Sequence, residues 1–215
     1  MPIALTGAGR RDAVVALIAT LGLFALTFAQ QGSIWIGVAL LFGIVAYIYW
    51  RYNHPSQAQD EEDDGPPSSL PIALMLFAAG LGLLVIGGSA LVSGAIDLAR
   101  IFGVSETAIG LTVVAIGTSL PELAASIAAA LRGKPGLAIG NVVGSNIYNI
   151  LLIGGATMSI APFAIPADLL TYELVILTAS AVLFLLMVSY AKQIGRALGA
   201  FLLALYAGTI VIAFA

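Results

Sequence analysis

Glu122 is the only ionisable residue between Thr107 and Leu131, within an apolar stretch long enough to cross a bilayer. A charge at mid-membrane costs about 3 kcal/mol on insertion scales, so such a residue faces a cavity or a partner rather than lipid. The residues before it, in "IGTSLPELAAS" (116–126), are suited to exposing oxygen. Pro121 has no N–H, so the Gly117 carbonyl loses its helical partner. Leu120, preceding a proline, is pushed away from helical angles, and Gly117 makes a bend cheap. The span is expected to open at Thr118–Pro121, and irregular backbone at that depth is tolerated only where it lines a cavity or binds something. Ser119 and Glu122 lie three apart, which points hydroxyl and carboxylate into one space. Carboxylate, hydroxyl and loose carbonyls make an all-oxygen surface suited to Ca²⁺ or Na⁺. The alternative is a protonated, hydrogen-bonded structural glutamate.

A second polar group lies in "GLAIGNVVGSNIYNILLIGG" (136–155). Asn141, Ser145 and Asn149 are spaced by four and share one helical stripe. The stripe serves either a ligand or hydrogen bonds between helices. Gly140 and Gly144 form a small-xxx-small pair, expected to let another helix approach closely. Asn146 lies off the stripe and is the weaker ligand candidate.

The elements holding these groups follow from composition. Of 215 residues, 60% are hydrophobic and only 9% charged, with a mean hydropathy of +1.07. No soluble domain of this size hides so much apolar surface, and runs of about 20 apolar residues recur. The chain reads as an all-α polytopic membrane protein of about seven transmembrane helices. They are expected near 12–31, 34–52, 71–96, 105–131, 140–160, 170–190 and 195–214. There is no cysteine, so disulfides and thiolate metal sites are excluded. Residues 53–70 are polar, acidic and Pro-rich, the pattern of a solvated linker. A Ca²⁺-sensing role for its acid run is the other reading, and His54 beside it reads as solvated. The opening "GRRDAVVALIATLGLFALTFAQ" has the paired arginines and apolar run of an export signal. The repeat described next argues against cleavage.

If seven spans alternate, Arg10, Arg11, Arg51, Arg132, Lys134, Lys192 and Arg196 share one face, and only Arg100 falls on the other. That bias places the first face in the cytoplasm. The start of the chain and residues 53–70 are then inside, and the C-terminus outside. "MPIALTGAGRRDAVVALIATLGLFAL" also aligns without a gap on "APFAIPADLLTYELVILTASAVLFLL", 160 residues later. Pro2 meets Pro162, Ala4 meets Ala164, and Leu23 and Phe24 meet Leu183 and Phe184. A two-residue shift then carries Gly37 onto Gly199. The copies start on opposite faces, which makes them inverted repeats of the kind secondary transporters use. Residues 1–52 read as the last two spans of a truncated first repeat, 53–70 as an acidic cytoplasmic linker, and 71–215 as a complete second repeat of five spans.

The stretch "GLTVVAIGTSLPELAASIAAALRGKPGLAIGNVVGSNIYNILLIGG" resembles the second signature repeat of the cation/calcium exchanger superfamily, bacterial calcium/sodium antiporter branch. The resemblance implies part of an inverted-repeat sodium/calcium exchanger fold and Na⁺/Ca²⁺ antiport by alternating access. It implies Glu122 as the carboxylate shared by the two ions, Thr118 as a backbone carbonyl ligand and Ser119 as a hydroxyl ligand. Ser145 and Asn149 match the polar pair on the following helix, where some branches carry aspartate at the position of Asn149. Alternative readings are a Ca²⁺/H⁺ exchanger, or a non-transporting membrane subunit or inactive fragment. The spans hold no buried His, second acid or Ser-based dyad, so no enzyme activity is expected. No cofactor is expected either, Ca²⁺ and Na⁺ being transported ligands. Ca²⁺ wants six to eight oxygens and usually more than one carboxylate, so a missing N-terminal repeat, on the same or a separate chain, is expected to supply another. The other expected partner is the lipid bilayer, with no nucleic acid, and the expected location is the bacterial inner (plasma) membrane. The glycine-dense "GLGLLVIGGSALVSGA" is expected to be the mobile element, and the copies at 12–52 and 170–214 the scaffold.

Overall fold

The structure is a computed structural model describing residues 3–4, 9–28, 32–54, 69–161, 173–191 and 193–213. The acidic run of the linker, and Pro2, Pro162 and Ala164 of the repeat alignment, lie outside the described residues. Among the described residues, helices occupy every segment expected to span. They are α1 (Arg10–Phe28), α2 (Ile34–Asn53), α3 (Leu70–Ile101), α4 (Glu106–Ile109), α5 (Ala115–Thr118) and α6 (Leu120–Leu131). Beyond these lie α7 (Pro135–Tyr148), α8 (Gly155–Ile160), α9 (Glu173–Tyr190) and α10 (Arg196–Ala213). Two π-helical turns, Gly110–Val114 and Asn149–Gly154, join α4 to α5 and α7 to α8. The chain adds one feature to the all-helical expectation, an antiparallel pair of two-residue strands, β1 (Ile3–Ala4) and β2 (Gln193–Ile194).

Among the described residues, α2, α3 and the run Pro135–Ile160 are each long and apolar enough to cross a membrane. The bent pair Thr112–Thr118 and Leu120–Leu131 makes a fourth, and Leu174–Tyr190 and Arg196–Val211 are shorter apolar helices. By length the described helices therefore meet fewer than the seven expected crossings. Helices of 18 residues such as α9 and α10 rise only about 27 Å, at the lower limit for a bilayer. At 32 residues α3 runs past its expected end near 96 and carries Asp97 and Arg100 within the helix.

The chain divides into two compact units, Glu62–Ala128 with Gly195–Ala215, and Pro2–Glu61 with Ala129–Ile194. In the first, α3 packs along α4, the 110–114 turn and α5, and α10 touches the same turn. No residue of α3 is buried, and an added Cβ at Gly80, Gly87 or Gly94 meets nothing within 4 Å. In the second unit, α1 lies against α7 and α9, and α2 against α8 and the 149–154 turn. Their core is Ala16, Ala19, Ile44, Val143, Ile147 and Leu151.

Close approach within that unit is set by glycines other than those expected. A Cβ on Gly37 would stand 2.5 Å from the Ser159 amide nitrogen and 2.6 Å from the Gly155 carbonyl oxygen. One on Gly155 would stand 3.1 Å from Gly37 O, Leu40 Cβ and Leu41 N. Each glycine thus admits the backbone of the other helix. At Gly140 and Gly144 an added Cβ meets no atom within 4 Å, so the expected close approach does not occur there. The helix turns after α3 and α6 use Gly103 and Gly133, at φ 75° and 72°. Both close the preceding helix in the left-handed conformation that glycine adopts without penalty.

Charge ties α1 to α2. Asp12 in the first turn of α1 and Arg51 in the last turn of α2 each suit their own helix dipole. Arg51 Nε and Asp12 Oδ1 lie 3.1 Å apart, and Tyr47 Oη donates to the same oxygen at 3.1 Å. Asp12 is 5% exposed. Asp12→Ala removes the carboxylate that both Arg51 and Tyr47 engage, and is expected to cost about 2 kcal/mol. In thermal unfolding in detergent, the Asp12→Leu/Arg51→Met double variant should lose less than the two single losses summed.

Candidate functional site

The interrupted span α4–α6 breaks where its proline and glycine indicate. Thr112–Thr118 and Leu120–Leu131 meet at 49°. Ser119 lies at the junction with φ −92° and ψ 1°, outside helical angles. Its N–H donates to Ile116 O at 3.1 Å, one residue short of the helical partner Ala115 O. The Ala115 carbonyl is taken instead by two hydroxyls, Thr118 Oγ1 at 3.1 Å and Ser119 Oγ at 3.2 Å. The ladder resumes with Leu123 N–H on Ser119 O at 3.0 Å.

These hydrogen bonds decide what the hydroxyls can do. Each hydroxyl has one proton, and both protons are spent on Ala115. The lone pairs of Thr118 Oγ1 and Ser119 Oγ remain as acceptors, and both residues are exposed. Glu122, one turn further, is half-buried, with Oε2 closed off from solvent. Thr118, Ser119 and Glu122 thus lie within about one turn of the break.

Ser145 and Asn149 lie in the other compact unit, on α7 and the first residue of its π turn. With Asn141 they stand about half a turn around the helix from Val143, Ile147 and Ile150, which are buried in the core. Ser145 and Asn141 are half-buried and Asn149 is exposed. Ser145 Oγ donates to Val142 O at 3.0 Å, so its lone pairs too are left to accept. Among the described residues, no three His, Cys, Asp or Glu side chains gather to hold a metal ion.

Two features escape the sequence reading. Each polar group lies close to a π-helical turn, a widening often found at functional sites. Gly110 and Gly154 stand at turn ends, but glycine is too frequent in this chain, 24 residues, to mark them. The other is Gly117, whose added Cβ would overlap a Val92 methyl and lie 3.2 Å from Val92 Cβ. The glycine lets α5 touch α3 as well as bend. Gly117→Ala is therefore expected to cost about 2 kcal/mol by overpacking. Adding Val92→Ala should recover most of it, read as thermal unfolding of the single and double variants.

The profile of the "Sodium/calcium exchanger protein" family matches residues 72–215. The sodium/calcium exchanger MaX1 of Methanosarcina acetivorans is 46% identical over 115 residues, 54% of this chain and 33% of that protein. The inner membrane protein YrbG of Escherichia coli (strain K12) is 43% identical over 132 residues, 61% of this chain and 40% of that one. Curated relatives that match over most of this chain are themselves spanned over only 58 to 60% of their length. A solved structure of the sodium-calcium exchanger NCX_Mj superposes with a TM-score of 0.75 at 32% identity, covering 98% of this chain and 68% of that one. With the profile running through its bent span and its polar stripe, the chain belongs to the sodium/calcium exchanger protein family.

Proposed function

We propose that this chain takes part in Na⁺/Ca²⁺ antiport across a membrane, by alternating access, and supplies part of the ion site. The observation that carries the reading is the break at Ser119. It leaves hydroxyl oxygens with free lone pairs one turn from Glu122, the only ionisable residue between Thr107 and Leu131. Glu122 supplies the charge shared by the two ions, Thr118 a backbone carbonyl and Ser119 its hydroxyl. Ser145 and Asn149 contribute from the following helix. Ca²⁺ or several Na⁺ compete for these oxygens, and an empty, charged site resists crossing between facings. The reaction makes and breaks no covalent bond and uses no cofactor.

One carboxylate is too few for Ca²⁺. A further carboxylate comes, on this reading, from a first exchanger repeat outside these 215 residues, on the same or another chain. Residues 1–52 are then the end of that repeat, 53–70 the linker, and 71–215 the second repeat. On the positive-inside bias the start of the chain lies on the cytoplasmic side of a bacterial inner membrane and the C-terminus outside. The β1–β2 pairing supports this, since it joins two segments assigned to the same face. The mobile element is α3, which buries no residue. Exchange that persists with α3 crosslinked in place would refute its mobility.

The test is radioactive Ca²⁺ uptake into vesicles carrying the chain, alone and together with a first repeat from a relative. Uptake driven by an Na⁺ gradient, and only with the added repeat, is the expected result. Uptake that follows a pH gradient instead would make the protein a Ca²⁺/H⁺ exchanger. No uptake in either case from folded protein would leave a non-transporting subunit.

A further inference from the structure

A cavity of about 510 Å³ opens on the α3 side of the break. Gly117, Thr118 and Pro121 form one wall, and α3 forms the other with Ser89, Ser93 and Asp97. These three recur every fourth residue, so they make one polar stripe, rising about 12 Å from Ser89 to Asp97. Arg100 also lines the cavity and would repel a cation there. It is held by Glu106 in a two-pronged pair, Nε to Oε1 at 2.7 Å and Nη2 to Oε2 at 3.0 Å. Asp97 stands 3.9 Å from Arg100, with its side chain 70% exposed. The guanidinium thus pairs closely with Glu106 and only weakly with Asp97, which lines the same cavity as the serines. Asp97, Arg100 and Glu106 together carry a charge of −1.

We propose that Asp97 is the entry carboxylate of a cation route that runs along Ser93 and Ser89 to Thr118, with Glu106 neutralising the Arg100 guanidinium that also lines it. The proposal rests on the exchange reading and adds to it a residue that gathers ions without coordinating them at the central site. A carboxylate at a water-filled mouth raises the local concentration of cations and speeds their entry. If lipid or another helix covers this face instead, the serines are closed to water.

The chain contains no cysteine, so Ser93→Cys places a single reporter thiol in the full chain, in membrane vesicles. The experiment compares its rates with a cationic trimethylammonium and an anionic sulfonate methanethiosulfonate reagent, each normalised to its rate with a free small thiol. A charge one helical turn away acts on the two reagents in opposite directions, and the cationic one is expected to be faster by about tenfold. Any effect of Asp97 on thiol ionisation scales both rates alike and cancels in the ratio. Adding Asp97→Asn should return the ratio to near one. Adding Glu106→Gln, which leaves Arg100 to offset Asp97, should lower the ratio towards one. The same pair of rates at Ser89→Cys should show the same bias, smaller. A thiol at position 93 that reacts with neither reagent, or a ratio that Asp97→Asn leaves unchanged, overturns the proposal. Glu122 does not enter this ratio, so failure of the exchange reading in a flux assay is separable from failure of the entry route.

Discussion

Glu122→Gln is expected to lower Na⁺-driven Ca²⁺ uptake about a hundredfold while leaving the protein folded. The two side chains share a shape, so the change removes charge and little else. Losing the carboxylate from a partly buried cation site costs about 3 kcal/mol, and each 1.4 kcal/mol is tenfold. The fold gains slightly if anything, because a neutral amide is cheaper than a charge in a membrane span. The same variant separates the two readings of this residue. A protonated, hydrogen-bonded structural glutamate is well imitated by glutamine, and uptake would survive. Uptake and thermal unfolding of the same preparation give both answers.

Gly37→Ala is expected to cost about 3 kcal/mol, a large effect for one methyl group. The added carbon would sit 2.5 Å from the Ser159 nitrogen and 2.6 Å from the Gly155 oxygen. Both are backbone atoms in regular helix and cannot turn aside, so α2 and α8 must separate, at the upper end of overpacking costs. Gly22→Ala supplies the contrast. Gly22 lies inside α1 with nothing within 4 Å of an added Cβ, and alanine there should stabilise by about 0.5–1 kcal/mol through helix propensity alone. Thermal unfolding of the two variants should move in opposite directions.

Local chemistry was legible along this chain and contacts were not. Pro121 has no N–H, so a break within Thr118–Pro121 follows from local sequence. Ser119 is the residue that leaves helical angles, whereas Leu120, expected to do so, opens α6. The stripe of Asn141, Ser145 and Asn149 likewise follows from spacing, and the structure puts it opposite the core face. The glycines were different. "GNVVG" and the surroundings of Gly37 look equally permissive in sequence, but Gly37 and Gly155 receive another backbone and Gly140 and Gly144 do not. Which glycine is met depends on how helices far apart in sequence cross, and no local pattern encodes that. The donation of Thr118 and Ser119 to Ala115 was hidden for a related reason. It appears only once the Ser119 amide shifts to Ile116 and frees the Ala115 carbonyl. The π turns at 110–114 and 149–154 are likewise registers of the hydrogen-bond ladder, and the side-chain types there would suit an ordinary helix.

The central claim is that Ca²⁺ and Na⁺ compete for oxygens gathered around Glu122. Its most direct test is equilibrium binding of radioactive Ca²⁺ to membranes carrying the chain with a completing first repeat, titrated with Na⁺. Saturable Ca²⁺ binding that Na⁺ displaces, and that Glu122→Gln removes, is the predicted result. Ca²⁺ binding that is equal in Glu122→Gln, or that does not respond to Na⁺, would contradict it.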